Sequence, residues 1–215
     1  MSQDGVASQT DRSAPGQAWR LGLLVVAAGL ATGIATQLGQ SVLPDGWSQV
    51  ANAISPWLVV AFLLGSRMPD RRWAALAGIA ALVLALVGYY AMIELRYGYG
   101  ASTSSLLLWG SAAVVGGPVF GIAGWSWRFD DGWRRAAAVG LLAACLIAEG
   151  AYLVVILPDP AVGAAFVVVG ALVPVVLARS GSDRGRAYVA VIPALALGAV
   201  GYLVFIALAN LTAGI

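Results

Sequence analysis

Residues 71 to 96 read RRWAALAGIAALVLALVGYYAMIELR. Two arginines are followed by an apolar run in which Glu94 is the first charge before Arg96. A hydrocarbon core of about 30 Å is crossed by about 20 helical residues at a rise of 1.5 Å each. The stretch therefore predicts a membrane-spanning helix near 73–95, basic at one end and bearing Tyr89-Tyr90 towards the other. Working outward by the same yardstick, spans are expected near 21–43, 49–65, 105–127, 135–157, 161–178 and 187–209. The predicted fold is an all-α integral membrane protein of seven transmembrane helices, one leading helix plus three repeated hairpins. Residues 1–18 read as a disordered cytoplasmic tail and 19–215 as a single seven-helix domain.

Composition points the same way. Of the 215 residues 60% are apolar and 10% are charged, against roughly 45–50% and about 25% in a soluble domain. A chain so poor in charge needs lipid as its solvent. With no His and one Cys, the commonest zinc sites, Cys/His or Ser/His catalytic pairs and any intrachain disulfide are excluded. No phosphate-binding glycine loop, acidic metal cluster or nucleophile elbow is present, so no cofactor is called for and no metal site is expected. The net charge of +2 carries no message about nucleic acid, because the arginines sit at helix ends.

Those arginines orient the chain. Arg12 and Arg20 precede the first span, Arg67, Arg71 and Arg72 join spans two and three, Arg128, Arg134 and Arg135 join four and five, and Arg179, Arg184 and Arg186 join six and seven. Eleven of the twelve fall on one side, the cytoplasmic side by the positive-inside rule. The N-terminus is then expected in the cytoplasm and the C-terminus outside. Arg96 dissents, with Glu94 near enough to pair with it. Arg20 followed by LGLLVVAAGLATGIA also reads as a cleavable signal that would leave six spans, but the apolar run continues to Leu43, longer than such a segment needs.

Gly88-Tyr89, Gly150-Ala151-Tyr152 and Gly201-Tyr202 follow Arg72, Arg135 and Arg186 at nearly equal distances, the mark of a hairpin used three times. Glu149 stands where the sister hairpins carry Val87 and Val200. An acid at that depth costs several kcal/mol on insertion scales and is a default functional candidate. Without a cation beside it, it is expected as a neutral proton donor. Cys145 and Tyr152 share its helix face. Gln37, Gln40 and Ser41 fall at i, i+3, i+4, as do Asn52, Ser55 and Pro56; each set is expected to form one polar face. With Tyr89, Tyr90 and Glu94 they predict a polar pocket in the outer half of the bundle, the alternative being interhelical hydrogen bonds.

The substrate-binding set expected from this reading is Glu149, Tyr152, Asn52, Tyr89, Tyr90, Gln37 and Trp57, with Glu149 the catalytic candidate if there is catalysis. Trp19, Trp47, Trp73, Trp125, Trp127 and Trp133 lie near span boundaries and read as an interfacial belt, whereas Trp57 and Trp109 lie deeper. Ala27, Ala31 and Ala35, with Gly29 and Gly33, give the first span a small-residue surface suited to an internal contact or to a partner subunit. Asp130-Asp131 reads as a solvated turn.

Leu43-Pro44-Asp45-Gly46-Trp47, Asn52, Pro56-Trp57, the Gly65-to-Arg72 turn, Gly88-Tyr89-Tyr90, and Gly116-Gly117-Pro118 leading into Trp127-Arg128 together resemble an uncharacterised family of actinobacterial multi-pass membrane proteins. The resemblance covers about half of the chain. It implies a bacterial plasma-membrane location and no mechanism. Three functions follow as expectations: binding or transport of a small molecule in the outer-half pocket, an intramembrane enzyme of terpene-cyclase type acting on an isoprenoid with Glu149 as acid, and a non-catalytic scaffold or accessory subunit. A vitamin-transporter binding subunit fits less well, since such subunits have six spans.

Overall fold

The structure is a computed structural model that describes residues 15–44, 47–157 and 159–213. The described residues form eight helices and no strand: α1 Pro15–Val42, α2 Ser48–Asn52, α3 Ser55–Gly65, α4 Arg71–Tyr97, α5 Thr103–Phe129, α6 Gly132–Val155, α7 Pro160–Leu177 and α8 Gly181–Ala213. Five of them, α1, α4, α5, α6 and α7, are long and apolar enough to cross a membrane. Their outward faces carry large apolar side chains such as Leu23, Leu107, Val115 and Val176, each more than half exposed, as expected where the solvent is lipid. The chain is a multi-pass membrane protein.

Local chemistry sets the helix ends. The Asp70 carboxylate accepts from the amides of Arg72 and Trp73 at 2.8 and 3.0 Å, capping α4. Gly98, at φ 72°, closes α4 in the left-handed region that glycine tolerates. Ser102 caps α5 through the Ser105 amide, and Asp159 with Pro160 starts α7.

Helices lie over each of the seven expected segments, but among the described residues only the five named above have the length and apolar character of a crossing, and two further expectations are corrected. The second expected span is not one helix: the chain is extended at Ala53, so the short α2 is separated from α3. Asn52 and Ser55 consequently do not share a face. The tail expected at 1–18 lies outside the described residues as far as Ala14, whereas Pro15–Ala18 already belong to α1. Asp45, Gly46 and Pro158, expected in outer loops, also lie outside the described residues.

Small residues let the helices meet. A Cβ on Gly33 would overlap the Ala85 carbonyl, one on Gly78 the Gly117 carbonyl, and one on Gly150 the Gly163 carbonyl, so α1–α4, α4–α5 and α6–α7 pack backbone to backbone. Helix α3 lies against both α4 and α5, α6 joins α5, and α8 packs on α6. Among the described residues α7 and α8 scarcely touch. The third hairpin is thus less closely packed than the first two: both arms lie against α6, and the Tyr188 hydroxyl of α8 donates to the Ala171 carbonyl of α7 at 2.8 Å. The small-residue surface of α1 also divides. Gly29 and Gly33 are buried against α4, while Ala27, Ala31 and Ala35 face outward.

The arginine-rich end is tied together by charge. Arg71 meets Asp130 at 2.7 Å and lies 4.9 Å from the Trp125 ring. Arg135, only 5% exposed, contacts Asp131 at 2.7 Å and Asp183 at 3.7 Å, and its Nε donates to the Trp127 carbonyl at 3.2 Å. Asp130 and Asp131 are therefore ion-pair partners. Among the described residues no group of three or more acidic, Cys or His side chains could hold a metal.

Candidate functional site

Interruption of a transmembrane helix leaves backbone donors that lipid cannot satisfy. At the start of α3 Pro56 has no amide hydrogen, and the amides of Trp57 and Leu58 already bond the Ile54 carbonyl. The amides of Ile54 and Ser55 remain. Both donate to a single atom, Glu149 Oε2 on α6, at 3.0 and 2.9 Å. Glu149 is an N-cap supplied from another helix, its carboxylate at the positive end of α3. In these two hydrogen bonds Oε2 is the acceptor.

That finding also changes the comparison with the sister hairpins. Val87 and Val200 are 53% and 59% exposed on outward faces, whereas Glu149 points inward to α3. The three positions are equivalent in sequence spacing and not in environment, so Val87 and Val200 are no guide to what position 149 tolerates.

Beside the capped break lies a cavity of about 560 Å³, open on one side. Its walls come from α1, the α2–α3 break, α3, α4 and α5, with Gly201 of α8 at its edge. Of the expected set, Asn52, Trp57, Tyr89 and Tyr90 line it. The lining excludes the other three. Glu149 stands behind the Ala53-Ile54 wall, Tyr152 lies beyond it on α6, and Gln37, 5% exposed, is turned onto the buried stripe of α1 that also holds Gly29 and Gly33. The spacing had grouped Gln37 with Gln40 and Ser41, but the three point differently. Gln40 enters the cavity, while Ser41 accepts from Arg96 Nη1 at 3.0 Å. Arg96 thus bonds Ser41 rather than the expected Glu94.

The cavity's polar groups form a chain. Tyr89 donates through its hydroxyl to Gln40 Oε1 at 3.1 Å, and Gln40 Nε2 donates to Asn52 Oδ1 at 2.9 Å. Trp57 Nε1 donates to Thr36 Oγ1 at 2.9 Å. The rings of Trp57 and Tyr89 meet edge to face at 6.2 Å, and those of Tyr89 and Tyr90 at 5.3 Å, within the range of favourable aromatic contacts. Thr36 and Gln40 were absent from the expected set. The i, i+3, i+4 pattern held Gln40, but only the packing of α1 on α4 distinguishes it from Gln37. Trp109 also lines the cavity, as its depth allowed, while Trp19, Trp47, Trp73 and Trp133 are more than half exposed, as a belt requires. Trp127, expected in the belt, instead donates to the Leu177 carbonyl at 3.1 Å.

Among the described residues no Asp, Glu, Arg or Lys lines this cavity. Its polar equipment is neutral, and the rest of its wall is aliphatic or aromatic. Such a mostly apolar hollow with a few directed hydrogen-bonding groups is the usual form of a small-molecule site.

The model of a family of unknown function, DUF6518, matches residues 12–208. The chain belongs to that family. The match takes in α1 to α7 and most of α8, so the capped break and the cavity both lie within the DUF6518 region. It bears out the resemblance to an uncharacterised family. No curated protein and no solved structure matches the chain.

Proposed function

We propose that this protein binds a neutral small molecule in the cavity between α1, α3, α4 and α5. The observation that carries the reading is an aromatic-walled hollow of about 560 Å³ with its hydrogen-bonding groups converging from four helices and, among the described residues, no charge in its lining. Bundles that need only mutual packing fill such space, because an unfilled apolar void forfeits contacts on every side.

The same geometry weighs against the enzyme reading. An acid for isoprenoid cyclisation must reach the bound chain, and Glu149 lies outside the cavity lining with one oxygen engaged by two amides. The scaffold reading accounts for Glu149 and leaves the cavity unexplained. Binding is therefore preferred, and transport would add a movement of the α2–α3 break that shifts Asn52, Ala53 and Ile54.

The seven-span topology belongs to this proposal. Helix α3 with the α2 segment would form the second span and α8 the seventh, placing the arginine loops in the cytoplasm of a bacterial cell, the cavity in the outer half of its plasma membrane and the C-terminus outside. A partner subunit on the outward Ala27, Ala31 and Ala35 stripe fits the same topology.

The test is Ala113→Trp, which fills the cavity from α5, compared with wild type for thermal stabilisation by a library of uncharged metabolites and lipids. A compound that stabilises the wild type and not the variant supports the reading. Equal response of the two proteins to every compound would remove it.

A further inference from the structure

Resting on that binding reading, we infer that the occupant is an amphiphile with one slender apolar chain and an uncharged hydrogen-bonding head, held with its head away from the arginine-rich end of the bundle. The inference comes from how the lining changes with depth. Along α4 the cavity runs from Leu82 to Ile93, eleven residues or about 16 Å at the helical rise. At the Leu82 end the wall is apolar, made of Leu82, Leu86, Leu58 and Ala113 with the Trp109 ring packed against the same cluster. Towards the other end stand Tyr89, Tyr90, Gln40 and Asn52, three of them joined in the chain of hydrogen bonds described above.

A small polar metabolite would leave the apolar end unfilled, and a plain hydrocarbon would leave unused the hydrogen-bonding capacity that Tyr89, Gln40 and Asn52 retain beyond their mutual bonds. A molecule polar at one end and apolar at the other satisfies both. Its head is uncharged because nothing in the lining could compensate a charge, which is costly at membrane depth. The Gln40 amide is the specificity-determining group. It holds Tyr89 and Asn52 at once, so the remaining hydrogen-bonding capacity of all three faces the head. Access is lateral, past Gly201 of α8, where a Cβ would meet nothing within 4 Å; among the described residues α8 does not pack on α1 or α4.

The test uses the full chain in phosphatidylcholine nanodiscs, with monoacylglycerols of short, medium and long chain as neutral probes. Fatty acids and alkyltrimethylammonium ions of matched length are the charged controls, and glycerol is the chainless control. The readout is the unfolding midpoint against probe concentration. The medium-chain monoacylglycerol should bind at least about tenfold more tightly than either charged analogue, a ratio set by the cost of an uncompensated intramembrane charge. Its binding should be lost in Ala113→Trp. Gln40→Leu should bring the monoacylglycerol down to the affinity of an alkane of equal length, a loss of head discrimination that a purely structural role for Gln40 would not produce. Equal affinity for charged and neutral probes, or tighter binding of glycerol, with Ala113→Trp still blocking it, would overturn the amphiphile and leave the binding reading standing. If no probe distinguishes wild type from Ala113→Trp, the inference and the binding reading fall together.

Discussion

The Ser55 amide at the start of α3 donates to the Glu149 carboxylate on α6 across 2.9 Å, and the neighbouring Ile54 amide donates to the same oxygen at 3.0 Å. The acid on α6 is thereby explained by the break between α2 and α3. The helix needs an acceptor where its first amides have none, and Glu149 supplies one where water cannot.

It follows that position 149 is sensitive to the acceptor before it is sensitive to charge. Glu149→Gln keeps a carbonyl for the two amides and should lose about 1 kcal/mol, whereas Glu149→Val leaves both donors unpaired and should lose about 2–3 kcal/mol. Reversible unfolding in mixed micelles measures both. A valine variant as stable as wild type would show that the cap contributes nothing.

The α1–α4 crossing makes a second prediction. A side chain on Gly33 meets the Ala85 carbonyl, so Gly33→Leu must push the helices apart, at a cost of about 1–3 kcal/mol. It should also displace Thr36 and Gln40 from the cavity. Gly22 on the same helix has open space before it, and Gly22→Ala should change stability by no more than about 0.5 kcal/mol. Similar destabilisation by the two would contradict this packing.

Among the ion pairs, burial should rank the effects. Arg135→Gln removes the more buried of the two arginines beside Asp183, leaving Arg186 at 3.7 Å, and should cost about 2 kcal/mol. Asp130→Asn frees Arg71, whose side chain is 44% exposed, and should cost under about 1 kcal/mol. Unfolding of the two variants under one condition checks the order, and a larger loss from Asp130→Asn would reverse it.

Orientation can be read from cysteine labelling in a Cys145→Ala background. Ser102→Cys, in the turn before α5, should react with a membrane-impermeant maleimide in intact cells. Ser182→Cys, at the arginine-rich end, should react only after lysis. The opposite pattern would invert the topology.

Glu149 shows how far the residues alone could be read. Its depth and oddity were visible, and so was Pro56, which withdraws one donor from the start of α3. That the two residues answer one another was not, because they are 93 positions apart and the link runs through the packing of α3 and α6. Gln37 and Gln40 teach the same lesson at short range. They stand three positions apart on one helix, but the first is buried and the cavity receives the second. The equivalence drawn between Glu149, Val87 and Val200 failed because equal spacing from an arginine cluster fixes depth along a helix and not rotation about it.

By itself the sequence determined that this chain lives in lipid, where its helices run and which ends carry the arginines. Those properties are additive along the chain: hydropathy accumulates over each span, and charge is confined to the ends by the cost of burying it. Only the tertiary structure decided that the second span is broken, that Glu149 caps the break, and that Thr36, Gln40, Asn52 and the aromatic rings surround a cavity without charge. These depend on which face of each helix meets which neighbour, a choice made by glycine contacts between helices distant in sequence.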